Sequence, residues 1–180
     1  MAFSIIGNIF NLSGFFKDSA HSYWSISADG KTTSSGGARS QQVAPRNVYT
    51  YTGGATPNNV SLNGHKISDT NAAITEAMLG AASSDERTEF INWALGFEDD
   101  GTTQTKFIGD PLHSRPTAVV YGVGSDKSQD ATVYFGTNEG FLHAISAETG
   151  EEQFAFIPQS LLPNLRDYAN DTAGLKDYGI

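Results

Sequence analysis

A mainly β fold, built on one blade of the β-propeller type, is what the sequence predicts. From Pro116 onward four β-rich runs, PTAVVYG, ATVYFGT, FLHAISA and EQFAFI, fall within roughly 40 residues, the size of one propeller blade. They are separated by the polar loop SDKSQD, an Asn-Glu-Gly turn at 138–140 and a Glu-Thr-Gly turn at 148–150. The apolar pattern there has a period of two, whereas the middle of the chain has the helical period. The expected fold is therefore one blade preceded by an irregular β segment and two short helices, a partial domain.

Residues 1–53 are expected to form the irregular β lead-in. They are rich in Ser, Gly, Thr and Asn, with turn signals at Asp29-Gly30 and Gly36-Gly37. RNVYTYTGG then has a strand composition ending at Gly53-Gly54, and NNVSLNG reads as a second short strand.

Residues 54–108 read as a loop and a two-helix insertion. NAAITEAMLG carries Ala73, Ile74, Ala77 and Met78 on a helical stripe, and Gly80 supplies a C-terminal stop. Ser83 followed by Glu86 is a capping box, which opens a second helix over DERTEFINWALG. Its apolar face is Phe90, Ile91, Ala94 and Leu95, and Gly96 ends it.

Residues 109–180 hold the blade and the start of a connection onward, with PQSLLPNLRDYAN as a short helical turn. One sheet cannot cover both of its own faces, so the chain is expected to be incomplete and marginally stable alone.

Composition narrows the function. With 38% hydrophobic and 11% aromatic residues in 180, the chain is ordinary globular material. Twenty acidic against eleven basic residues give a net charge of −9, which repels phosphate backbones and anionic lipid surfaces. Nucleic acid is thus excluded as a partner. No apolar run approaches the roughly 20 residues of a membrane helix, so no membrane insertion is expected. The absence of cysteine removes disulfides, thiolate metal sites and a cysteine nucleophile. MAFSIIGNIF is too short and lacks the basic start of a signal peptide, so a signal for export is expected outside this sequence.

Two stretches carry residues of chemical interest. GDPLHSRP (109–116) brings together Asp110, His113 and Ser114, the residue types of a hydrolytic triad. Triads assemble from distant segments around a strained nucleophile, and no G-x-S-x-G elbow is present. Prolines at 111 and 116 bias the residues before them toward extended backbone. The segment therefore reads as a stiff lead into the first blade strand, with Asp110, His113 and Arg115 tying it to neighbouring turns. No catalytic residue is expected. Glu98, Asp99 and Asp100 before Gly101 offer hard oxygen ligands, but the spacing departs from the EF-hand loop. Asp99 and Asp100 are the metal-ligand candidates, against the reading of a solvated acidic loop. The four histidines lack zinc spacing. Within the blade, Gly136 and Gly140 allow a tight hairpin, Asn138 tolerates left-handed backbone, and Gly150 closes the next turn.

GDPLHSRP, VYFGTNEGFLHAISAETGEEQFAFIP (133–158) and LLPNL (161–165) together resemble the start of the propeller domain of the PilY/PilC family. These are type IV pilus assembly factors and tip adhesins. HSYWSISADGK, SSGGA, PRNVYTYTG and INWALG precede them in the order the family shows, so the resemblance covers nearly the whole chain. It implies a non-enzymatic, exported protein of the periplasm and cell surface of a Gram-negative bacterium. Its roles would be pilus assembly, adhesion and twitching motility. The partners implied are minor pilins at the pilus tip and a host or abiotic surface. No cofactor is implied within this chain, whereas calcium is possible in the full-length family member. Two alternatives share the blade pattern. One is a fragment of a quinone-dependent dehydrogenase, disfavoured by Phe154 where a docking tryptophan is expected and by the lack of vicinal cysteines. The other is an outer-membrane assembly scaffold.

Overall fold

The four β-rich runs fold as an antiparallel meander in a computed structural model of the chain, which describes residues 17–25, 27–30, 32, 36–53, 62–105, 108–111, 113–125 and 128–170. The strands are β2 (Thr117–Val123), β3 (Gln129–Gly136), β4 (Leu142–Ser146) and β5 (Glu152–Phe156). A fifth strand, β1 (Val48–Tyr49), adds in parallel to β5. The sheet is thus mixed, ordered β1-β5-β4-β3-β2, and its two edges do not meet. Four antiparallel strands were expected; the fifth is recruited from the lead-in, 107 residues before its partner, and no local pattern encodes that pairing.

Bulges accommodate two irregular places. The β2–β3 register shifts between Val120 and Gly122, and the β4–β5 register shifts between Ala144 and Ile145. Gly140 and Gly150 take the positive φ that their turns require, at 89° and 77°.

Helices share one buried cluster with β1 and β5. Helix α3 (Ser84–Leu95) starts where Ser83 Oγ accepts from the N–H of Glu86 at 3.2 Å, and it stops at Gly96 with φ 87°. The reciprocal Glu86 carboxylate accepts from the N–H of Ala82, one residue before the cap. Phe90, Ile91 and Ala94 are fully buried against Val48, Phe141 and Ile157. Trp93 lies between Phe141 and Tyr168, stacked on Tyr168 at 6.0 Å. Tyr168 belongs to helix α4 (Leu165–Ala169), which continues a 3-10 turn over Gln159–Asn164.

Three local expectations are corrected. The helix expected over NAAITEAMLG is only α2 (Glu76–Leu79), although Gly80 does end it, at φ 64°. The preceding carbonyls are taken by side chains: Arg87 donates to Ile74 O at 2.7 Å and to Asn71 O at 3.1 Å. Asn71 also closes its own turn by accepting from the N–H of Ala73. The strand expected over NNVSLNG is a 3-10 turn at Leu62–His65, and residues 58–61 lie outside the described residues. That turn brings the chain back beside β1, where Thr50 N–H donates to His65 O and Ile67 N–H to Val48 O. Finally, Gly37 opens a short helix, α1 (Gly37–Gln41), where only a turn was expected.

Strand β2 stands apart. Val119, Val120, Tyr121 and Val123 are all exposed on it. Among the described residues no helix is long and apolar enough to cross a membrane.

Candidate functional site

The stiff lead before β2 is pinned onto the β3–β4 turn. Asn138 is the centre of this arrangement. Its Nδ2 donates to Asp110 Oδ2 at 2.9 Å, its backbone N–H donates to Asp110 O at 2.8 Å, and its Oδ1 meets His113 Nδ1 at 2.9 Å. Because an amide oxygen only accepts, His113 carries its proton on Nδ1 there. Ser114 Oγ accepts from the N–H of Gly136 at 2.8 Å, and Tyr168 OH donates to Asn138 O at 2.9 Å. The three triad-like letters therefore each bond to the turn, and Ser114 and His113 do so with different partners.

Of the sequence-derived signature, Asp110, His113, Gly136, Asn138 and Gly140 come together in this one place. Gly140 turns the chain under Leu161, and a Cβ there would sit 3.0 Å from the Leu161 side chain. Gly136 serves through its N–H; the positive φ of the hairpin belongs to Gly140. Gly150 lies elsewhere, in the β4–β5 turn, with Trp24 across it: a Cβ would lie 2.5 Å from the indole, whose Nε1 donates to Ala147 O at 3.2 Å. Arg115, expected to help tie the lead to the turns, stands exposed, its carbonyl accepting from Thr117 Oγ1 at 3.4 Å.

The acidic loop spends its carboxylate on itself. Asp100 Oδ1 accepts from the N–H groups of Thr102 and Thr103 at 2.8 and 2.7 Å, and Oδ2 accepts from Thr103 Oγ1 at 2.6 Å. The Thr103 hydroxyl and these N–H groups hold Asp100 down to about 2. Asp99 is exposed beside it. Among the described residues no group of three or more His, Asp or Glu is placed to hold a metal ion.

A second cluster escaped sequence reasoning. Arg46, just before β1, donates from Nε to Glu152 Oε2 at 2.7 Å and from Nη2 to Glu152 Oε1 at 2.9 Å, a bidentate pair. Its Nη1 donates to Ala94 O at 3.0 Å, and its guanidinium carbon lies 5.1 Å from the centre of the Phe141 ring. His143 Nδ1 donates to Glu152 Oε1 at 2.6 Å, while its ring stacks on Phe135 at 5.1 Å. The side chains of Arg46, His143 and Glu152 are 2%, 1% and 4% exposed, so all three are cut off from water. Burial pushes His143 below its ordinary value, the Glu152 hydrogen bond opposes this, and the Arg46 charge adds to it. Burial alone would raise Glu152, but hydrogen bonds from His143 and Arg46 outweigh it and hold the carboxyl down to about 2. The cluster is a carboxylate shared by a permanent cation and a neutral imidazole. The only local signal was polar: a histidine and a glutamate at inward positions of otherwise apolar strands.

No protein-family model and no solved structure matches the chain. Two curated relatives do. A type IV pilus biogenesis factor PilY1 homolog of Xylella fastidiosa is 46% identical over 46 residues, covering 26% of this chain and 4% of the relative. The type IV pilus biogenesis factor PilY1 of Pseudomonas aeruginosa is 30% identical over 100 residues, covering 44% of this chain and 8% of the relative. The matched segments thus span less than a tenth of either relative.

Proposed function

The chain is PilY1-like, akin to type IV pilus biogenesis factors, and from that premise we propose that it is a non-enzymatic module of pilus biogenesis. The kinship to two proteins of that name carries this reading. The geometry is in keeping with it, because Asp110, His113 and Ser114 are each hydrogen-bonded onto the β3–β4 hairpin.

In this reading β2 to β5 are the first blade of a propeller, and the exposed strand β2 is the part that adjoins further blades. Residues 1–53 are the lead-in, 54–108 the insertion, and 109–180 the blade with its onward connection. The module acts outside the cytoplasm, at the pilus and cell surface. Minor pilins and a host or abiotic surface are its partners, and adhesion and twitching motility its outcome. It takes no cofactor of its own, and calcium belongs to the longer family members.

The test uses the full-length protein in its own bacterium. Deletion abolishes surface pili, and the tagged protein captures minor pilins from solubilised membranes. Normal piliation after deletion, or no pilin capture, overturns the reading. Dye reduction on adding pyrroloquinoline quinone overturns it in favour of a dehydrogenase.

A further inference from the structure

The segment Arg46–Tyr49 joins the sheet with little backbone to hold it. Strand β1 has two residues, and four backbone hydrogen bonds fix this stretch: Ala155 N–H to Asn47 O, Ile157 N–H to Tyr49 O and Arg46 N–H to Leu95 O, each at 2.9 Å, and Ile67 N–H to Val48 O at 2.8 Å. A fully buried Val48 adds apolar area. Lys66 Nζ donates to Asn47 Oδ1 at 2.9 Å at the surface, and inside, the buried cluster links four elements at once: Arg46 before β1, Ala94 O of α3, His143 of β4 and Glu152 of β5.

We propose that Arg46, Glu152 and His143 form a proton-sensitive latch that holds the lead segment on the outer edge of the sheet.

The sensitivity comes from what surrounds the imidazole. Glu152 faces it from β5, Arg46 from the lead, and Glu139 from the β3–β4 turn. Phe135 and Phe141 pack on its ring, and Thr137 Oγ1 lies 3.5 Å from Nε2. In the neutral form Nδ1–H donates to Glu152 and Nε2 is an acceptor, so the ring fits. A second proton adds a buried cation whose Nδ1 is 3.5 Å from Arg46 Nη2, and whose new Nε2–H meets the Thr137 hydroxyl at the long distance of 3.5 Å. Glu152 is already engaged by the bidentate guanidinium, so it cannot neutralise both cations. Once the lead lifts away, water reaches the ring and it takes up the proton at an ordinary value, near 6.5. Protonation therefore favours the open form, with about a tenfold shift for each unit by which burial lowers the folded value.

Hydrogen exchange on the full chain at pH 7.5 and pH 5.0, corrected for intrinsic exchange, tests the latch. Peptides covering 46–50 and 153–157 lose about tenfold or more of their protection at pH 5.0, while 87–94 of α3 keep theirs. His143→Asn places an amide nitrogen near the Nδ1 position without the titration, and its protection does not change between the two values. Equal protection of the wild type at both pH values overturns the proposal, as does the same acid loss in His143→Asn. If that variant fails to fold, the His143 Cε1 proton is followed by NMR in the wild type. Titration near 6.5 with the lead still protected overturns the latch, and titration together with loss of protection supports it.

Discussion

Asn138 and Asp110 are joined twice, by Nδ2 to the Asp110 carboxylate at 2.9 Å and by the Asn138 N–H to the Asp110 carbonyl at 2.8 Å. The double contact fixes the chain immediately before β2 to the turn between β3 and β4, so β2 is aimed at β3 before the ladder begins. Asn138 is 8% exposed, and truncation removes its side-chain bonds to the Asp110 carboxylate and the His113 ring. Asn138→Ala is expected to lose about 1–3 kcal/mol, read from urea unfolding. Asn138→Asp retains the His113 contact but sets two carboxylates side by side, and its loss grows as pH rises past the carboxylate range. A neutral outcome for both substitutions refutes the pinning role.

Removing one partner from the Arg46–Glu152 pair strands the other charge in the interior. Arg46→Met is expected to cost about 3–5 kcal/mol. Arg46→Met combined with Glu152→Leu recovers much of that loss, because neither charge remains buried. A double mutant no more stable than Arg46→Met in chemical denaturation contradicts this account.

Glu152 gives the fold an acid limit. Its carboxyl takes up a proton at about 2 when folded, against the ordinary 4.5 when unfolded. Between those values the unfolded chain binds more protons, so this contribution is complete above 4.5 and drains away as pH falls toward 2. The slope of unfolding free energy against pH is expected to be shallower in that window for Glu152→Gln than for the wild type. Equal slopes would sink the assignment.

Burial separates two aliphatic positions on one sheet. Ile145 of β4 is fully buried, whereas Val120 of β2 is 49% exposed. Ile145→Ala is expected to cost about 2–5 kcal/mol, and Val120→Ala about 0.5 kcal/mol or less. Thermal melts of the two variants compare them directly.

Gly150→Ala meets two obstacles at once, a φ of 77° and the Trp24 indole at 2.5 Å from the new Cβ. It is expected to destabilise by about 1 kcal/mol or more. A red shift of tryptophan emission in a Trp93→Phe background marks Trp24 leaving the turn. No change in emission or stability contradicts the contact.

The four antiparallel strands, helix α3 and its two caps were legible because each is encoded within a few residues: period-two runs between Gly-bearing turns, and Ser83 and Gly96 flanking an apolar stripe. NAAITEAMLG misled because Arg87, from the next helix, takes carbonyls that a longer α2 would have used. The lead GDPLHSRP announced its stiffness through its prolines, but which turn it grips depends on Asn138, 28 residues from Asp110. Arg46 and Glu152 are 106 residues apart, and nothing near either one marks the other. By itself, then, the sequence determined the local elements, whose hydrogen bonds and apolar periods close over short spans. Only the tertiary structure decided where β1 joins the sheet and which charges are buried together, because those contacts acquire their energy when distant segments exclude water between them.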